Sequence, residues 1–239
     1  MSIKNLTIIG SSHIAKQSYE NVERHVLDGN PDIIAVELDQ GRLYSLLNQK
    51  KKGSAIEAIR QIGVTGYFFT LIAGWVQKKL GNLVGMQPGS EMLLAVNLAK
   101  KQKKKLALID QDIRITMKRF TKTLTWREKF RFIGDLFRGI FFRKREMKKM
   151  GFDPKKLDLS KVPPKKIIKL MIKQIKVRYP NLHNVLIKER NEVMANNLVK
   201  IMEKNPNDKI LAIMGAGHED EVRRLVHLNM LIDKKSLGK

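Results

Sequence analysis

Two short segments near opposite ends of the chain place a histidine three residues after a glycine: Gly10-Ser11-Ser12-His13 and Gly215-Ala216-Gly217-His218. An imidazole near neutral pH can ligate a divalent metal or carry a proton. Each glycine closes an apolar run, where the missing Cβ is expected to permit a tight turn that points the imidazole over a sheet edge. A lone His in such a loop is more often a satisfied structural residue, and two copies favour a shared site. Carboxylates follow two other apolar runs: Glu37 and Asp39 after Ile33-Ile34-Ala35-Val36, and Asp110 and Asp112 after Leu106-Ala107-Leu108-Ile109. Imidazoles and carboxylates together suit an open-sided site for a divalent ion such as Zn²⁺, Mn²⁺, Co²⁺ or Fe²⁺. Cysteine is absent, which excludes disulfides, thiolate ligands and a cysteine nucleophile. No Gly-x-Ser-x-Gly surrounds Ser11 or Ser12, so a serine-hydrolase elbow is excluded as well.

These residues need a scaffold that brings the ends of separate runs to one place. Leu6–Ile9, Ile33–Val36, Leu106–Ile109 and Ile210–Met214 read as buried parallel strands. Helical spacing over Ser18–Leu27, stopped by Gly29-Asn30-Pro31, and over Glu91–Lys101, with Ser90 as its N-cap, supplies crossovers. The expected fold class is α/β, a central, mainly parallel sheet with flanking helices. In such sheets ligands bind at the carboxyl ends of the strands, where His13, Glu37, Asp39, Asp110, Asp112 and His218 all fall.

The 239 residues carry a net charge of +24, and its distribution is uneven. Residues 100–190 hold 29 Lys/Arg against 8 Asp/Glu, whereas the flanking segments are nearly neutral. From about 114 to 190 the strand pattern is lost, and the segment reads as a basic helical insertion within a single domain spanning 1–239. Within it Phe130, Ile133, Leu136, Phe137, Ile140 and Phe141 recur at helical spacing, with Lys129, Arg131, Arg138, Arg143 and Lys144 opposite. The uncharged run Gln61–Gln77 is shorter than the roughly 20 residues of a membrane-spanning helix, so it is expected to be a buried core helix. No signal peptide is read at Met1–Asn5, and the expected location is the cytoplasm, with a peripheral membrane position as the second reading.

Six segments, taken in order, resemble the TraB family of pheromone-shutdown proteins (TraB/PrgY), which is similar to the TIKI metalloproteases. They are Gly10–His13; Val36–Asp39 with Arg42; Pro88-Gly89-Ser90-Glu91-Met92; Ile109–Ile113 with Thr116; Glu189-Arg190 with Met194-Ala195; and Gly215–His218. The chain departs from the family's usual pattern at Gln111, where Arg is common, at Asn191, where Asp is common, and at Glu219-Asp220-Glu221. The resemblance implies a metal-dependent hydrolase, a peptidase acting through a metal-activated water. His13, Glu37 and His218 are the expected metal ligands. Glu91 is expected to complete the metal shell or act as general base, with a helix-dipole carboxylate as its structural alternative. Arg190 is expected to stabilise an oxyanion or to pair with Glu37 or Glu91. Asp39, Asp110, Asp112, Arg114 and Glu189 form the expected supporting network, with Asp39 and Arg42 capping and bracing the next helix.

The alternative function is non-catalytic binding of a peptide or metal complex in the same pocket. The expected partners are a peptide substrate, an anionic membrane surface for the basic insertion, and a second copy of the chain. Nucleic acid ranks below these, because no helix-turn-helix, RNA-binding or zinc-finger pattern accompanies the charge.

Overall fold

The four apolar runs form one parallel sheet: β1 (Leu6–Ser11), β2 (Ile33–Val36), β3 (Lys105–Leu108) and β4 (Ile210–Gly215), in the order β1-β4-β2-β3. The computed structural model describes residues 5–12, 16–48, 54–84, 89–141 and 164–237, and for part of 65–84, 133–141 and 233–237 the backbone alone. Leu6 pairs with Ile210, and Ile33 pairs with both Ile210 and Lys105, so the first and last strands meet although they are far apart in the chain.

Strand periodicity sorts the side chains onto two faces. Ile33, Ala35, Ile210, Ala212 and Met214 pack beneath α9 (Glu189–Lys204) and α10 (Glu219–Leu237), which contribute Met194, Leu198, Met202, Val222 and Val226. Ile34, Val36, Leu211 and Ile213 face α1 (Lys16–Leu27) and α4 (Ser90–Lys101), which contribute Val22, Val26, Met92, Ala95 and Ala99. Each fully buried aliphatic side chain stabilises the fold by about 1.5–3 kcal/mol. Both central strands, β2 and β4, are therefore apolar along their whole length.

α2 (Gln40–Leu47), α3 (Ala55–Val84) and α4 lie between β2 and β3. Between β3 and β4 the described residues hold no strand: α5 (Ile113–Thr123), α6 (Trp126–Phe141), α7 (Lys165–Arg178) and α8 (Pro180–His183) precede α9 there. α8 runs through a π turn at Asn184–Lys188 into α9. The strand-free basic segment was legible because its apolar residues recur at helical rather than strand spacing.

Two expectations are corrected. The run Gln61–Gln77 lies in α3, bent at Gly63 (φ 74°), but it is not a core helix: Val64, Phe68 and Leu71 are exposed. Its inner side meets α5 through Gly66 and Ile62, close to Thr121, so an uncharged composition did not translate into burial. Ser90 does not cap α4. Gly89 holds the cap position in the left-handed region (φ 81°), which favours glycine, and the Ser90 hydroxyl is buried without a hydrogen-bond partner.

Candidate active site at the carboxyl edge of the sheet

Strand–helix alternation places the starts of α1, α2, α4, α9 and α10 at the edge where the four strands end. Each helix start carries unsatisfied N–H groups and partial positive charge, an environment that favours anions. Buried carboxylates occupy this edge: Glu37, Asp39, Glu91 and Asp110 are all at most 7% exposed.

Glu37 follows β2 directly. Its Oε2 accepts the Gly215 backbone N–H, and its Oε1 accepts Arg190 Nη2 and lies 3.6 Å from His218 Nε2. Arg190, in the first turn of α9, donates from Nε to Asp110 Oδ1 (3.0 Å) and from Nη2 to Asp110 Oδ2. Its Nη1 donates to the Leu186 carbonyl (3.3 Å) and lies 3.5 Å from His218 Nε2. The π turn ends just before Glu189-Arg190, within the segment that carries this guanidinium to the sheet edge. Burial pulls the Arg190 pKa down, but the charge of Glu37 and the bonds to Asp110 outweigh it and hold the pKa above the ordinary arginine value.

Asn191, the next residue of α9, is 2% exposed and accepts from His218 Nδ1. With the proton on Nδ1, the Nε2 lone pair is turned toward Glu37 and Arg190, an arrangement that orients metal-binding histidines. On the other side of Asp110, Arg42 bonds to Asp110 Oδ2 and donates from Nε to Asp39 Oδ2 (2.6 Å). Asp39 caps α2 by accepting the Arg42 N–H (3.0 Å) and also accepts the Ile113 N–H (3.2 Å). Here too burial lowers the arginine pKa, and Asp110 raises it further. The result is a continuous set of bonds: Asp39, Arg42, Asp110, Arg190, Glu37 and Gly215, with His218 and Asn191 alongside.

The residues read from the sequence fall into three groups. Glu37, Arg190, His218, Asp110 and Asp39 converge. Glu91 is buried in the first turn of α4 at the same edge. Asp112 and Arg114 pair with each other at the exposed start of α5, and Glu189 pairs with Arg119 (2.6 and 2.7 Å) and Asn184 (3.0 Å); neither pair joins the bonds through Arg190. His13 lies outside the described residues. Reading residue types missed two contributors: Arg42 as a bridge to Asp110, and Asn191 as the partner of the imidazole. The Asn191 position stood out in the sequence only as a departure from the family's pattern.

The glycines of the two Gly-x-x-His segments act differently from expectation. Gly10 and Gly215 lie inside β1 and β4, and neither has a positive φ, so no left-handed turn is involved. What they provide is space. A Cβ on Gly10 would lie 2.5 Å from Glu219 Oε2 and 3.0 Å from Ala216 Cα, and one on Gly215 would lie 3.3 Å from Glu37 Oε2.

A divalent ion is the group that the donor chemistry suits. Among the described residues, no three His or acidic side chains are already gathered around one point. The bonded cluster sets three buried carboxylates, Glu37, Asp39 and Asp110, against two guanidiniums, an excess of one negative charge, and Glu91 is a fourth buried carboxylate at the same edge. His218 adds an imidazole whose Nε2 faces the cluster, 3.6 Å from Glu37 Oε1.

A four-stranded parallel α/β domain with a buried carboxylate–arginine–histidine cluster at the strand ends defines the class of protein. Within that class, the chain belongs to the TraB/PrgY/gumN family, which it matches over residues 2–228. It is 34% identical over 221 residues to an uncharacterized protein of Methanocaldococcus jannaschii, covering 92% of this chain and 53% of that protein. It is 26% identical over 195 residues to the TraB domain-containing proteins of Mus musculus and Homo sapiens, covering 77% of this chain and 49% of each relative. The chain thus spans about half the length of the curated relatives it matches.

Proposed function

We propose that the chain is a metal-dependent hydrolase acting on a peptide, with its site at Glu37 and His218. The observation that carries this reading is the pairing of a buried carboxylate with an imidazole 3.6 Å away, the imidazole's other nitrogen being fixed by Asn191. His218 and Glu37 would hold the ion together with His13, and Glu91 would complete the shell or accept a proton. A bound divalent ion supplies an activated water and polarises a scissile carbonyl.

The chain's own residues divide the remaining work. Asn191 would keep the His218 proton on Nδ1 and turn Nε2 toward Glu37 as the ligating nitrogen. Arg190 holds Glu37 and Asp110 in register, and its positive charge lies beside the position where an oxyanion would develop. Gly215 fixes the other Glu37 oxygen, so the carboxylate presents a single, defined edge. Beside the cluster, a groove of roughly 500 Å³ is bordered by Gln111, Ile115, Glu189 and Val193, the sequence neighbours of Asp110 and Arg190.

Incubation with a peptide library, with and without a chelator, tests this. Chelator-sensitive cleavage, restored by a divalent ion and absent in Glu37→Gln, is the expected result. Retention of peptides without turnover at any metal loading would replace the hydrolase with the binding-protein reading.

A further inference from the structure

The first part of α6 exposes aromatic rings and turns carboxylates inward, while the side chains of Ile133, Leu136, Phe137, Ile140 and Phe141 lie outside the described residues. Glu128, 5% exposed, accepts the Asn181 N–H (3.0 Å), the Asn181 side-chain amide (2.8 Å), and the Thr125 N–H and hydroxyl (both 3.2 Å). One turn on, the Phe132 ring meets the edge of Tyr179, and after another turn Asp135 accepts from Arg178 and the Tyr179 hydroxyl. The outward row carries Trp126 and Phe130, 71% and 69% exposed, with ring centroids 6.0 Å apart. Ordinary surface helices bury such a row.

The charge around these rings is of one sign. Residues 113–141 contain eight Lys/Arg and two acids; both acids, Glu128 and Asp135, are committed to α7 and α8, and Arg114 and Arg119 are paired with Asp112 and Glu189, which leaves six cations against none. Lys129 Nζ sits 4.6 Å from the Trp126 ring, and Arg127 and Lys122 are exposed nearby in sequence. Across the Arg178–Asp135 bond, α7 adds exposed Lys166, Lys173 and Lys176. Aromatic side chains flanked by Lys and Arg suit the headgroup boundary of a bilayer, where the rings enter the apolar layer and the cations meet anionic lipid. A second copy of this chain fits less well, because it would set one cationic face against another.

We propose that the Trp126–Phe130 face of α6, with its Lys/Arg border, docks the protein on an anionic membrane surface. Docking is interfacial: among the described residues, no helix is long and apolar enough to cross a membrane. Sedimentation of the full chain with phosphatidylcholine vesicles, with and without phosphatidylserine, tests this, alongside sedimentation velocity without lipid. The expected result is co-sedimentation only with the anionic vesicles, weakened by salt. Binding should fall roughly fivefold for each charge removed by Lys122→Gln or Arg127→Gln and be lost in Trp126→Ser/Phe130→Ser. These side chains are exposed, so the variants should fold, which circular dichroism verifies. In Trp75→Phe, Trp126 is the sole tryptophan, and its emission should shift to the blue on the anionic vesicles. Equal or negligible sedimentation with both lipids overturns the proposal, as does anionic binding that survives the double variant. A dimer abolished by the double variant, without vesicle binding, assigns the face to a second copy instead.

Discussion

The five N–H groups of Arg190 are all engaged: two with Asp110, one with Glu37, one with the Leu186 carbonyl, and one directed at His218 Nε2, 3.5 Å from Nη1. A guanidinium so committed is first a brace, and its removal takes a cationic partner from two buried carboxylates, leaving Arg42 on Asp110 and the Gly215 N–H on Glu37. Arg190→Met is therefore expected to cost about 3–5 kcal/mol in urea denaturation. Arg190→Lys should recover little of this, because an ammonium cannot reproduce the planar fork. Asn191 predicts the opposite pattern. Asn191→Ala should leave most of the fold intact while releasing the His218 tautomer, lowering divalent-ion affinity by about 10–100-fold in a calorimetric titration. Loss of stability with unchanged affinity would make Asn191 a packing residue. The pairing of Arg42 and Arg190 with Asp110 spans 68 and 80 residues, and the sequence offers no periodicity that links such distant partners.

At the scale of elements, Gly10 and Gly215 lie at strand ends in close contact, and the chain turns after Gly215, where the His218 N–H donates to the Gly215 carbonyl (2.8 Å). Gly10→Ala should cost about 1–3 kcal/mol, because the new methyl meets backbone at Ala216 as well as the Glu219 carboxylate. Gly215→Ala should cost less in stability yet disturb Glu37, its nearest neighbour. α6 gives a pH prediction with a definite sign. Burial raises the Glu128 pKa, but the bonds from Asn181 and Thr125 outweigh it and hold the folded value below the ordinary carboxylate value. A depressed folded pKa contributes stability above the unfolded value and loses it as pH falls through the folded one. The α6–α8 junction should accordingly loosen in acid, read as a change in Trp126 emission, and Glu128→Gln should flatten that response. Tyr179 works at the other end of the scale: burial and Asp135 raise its pKa to about 12, so its contribution is complete below pH 10.0 and fades as pH rises toward 12.

For the whole molecule, the sheet was legible because a parallel sheet covered on both faces requires continuous apolar strands, and only four runs qualified. β3 begins and ends one residue earlier than the run Leu106–Ile109, with Ile109 buried just beyond it. The orientation of helices was less legible. α3 has the composition of a core helix yet exposes Val64, Phe68 and Leu71, and the α6 stripe begins with an exposed Phe130, since composition does not say what lies opposite. The convergence of Glu37, Asp110 and His218 followed from topology alone, because strand ends in one parallel sheet share an edge. The bonds among them required coordinates.

Titration of Zn²⁺ and Mn²⁺ into the wild-type chain beside His13→Ala, Glu37→Gln and His218→Ala, with circular dichroism to verify folding, addresses the shared metal site itself. The expected result is a single tightly bound ion in the wild type and its loss in each folded variant. Equal affinity in all four proteins, or no binding by the wild type, would contradict the site and leave the cluster a structural brace.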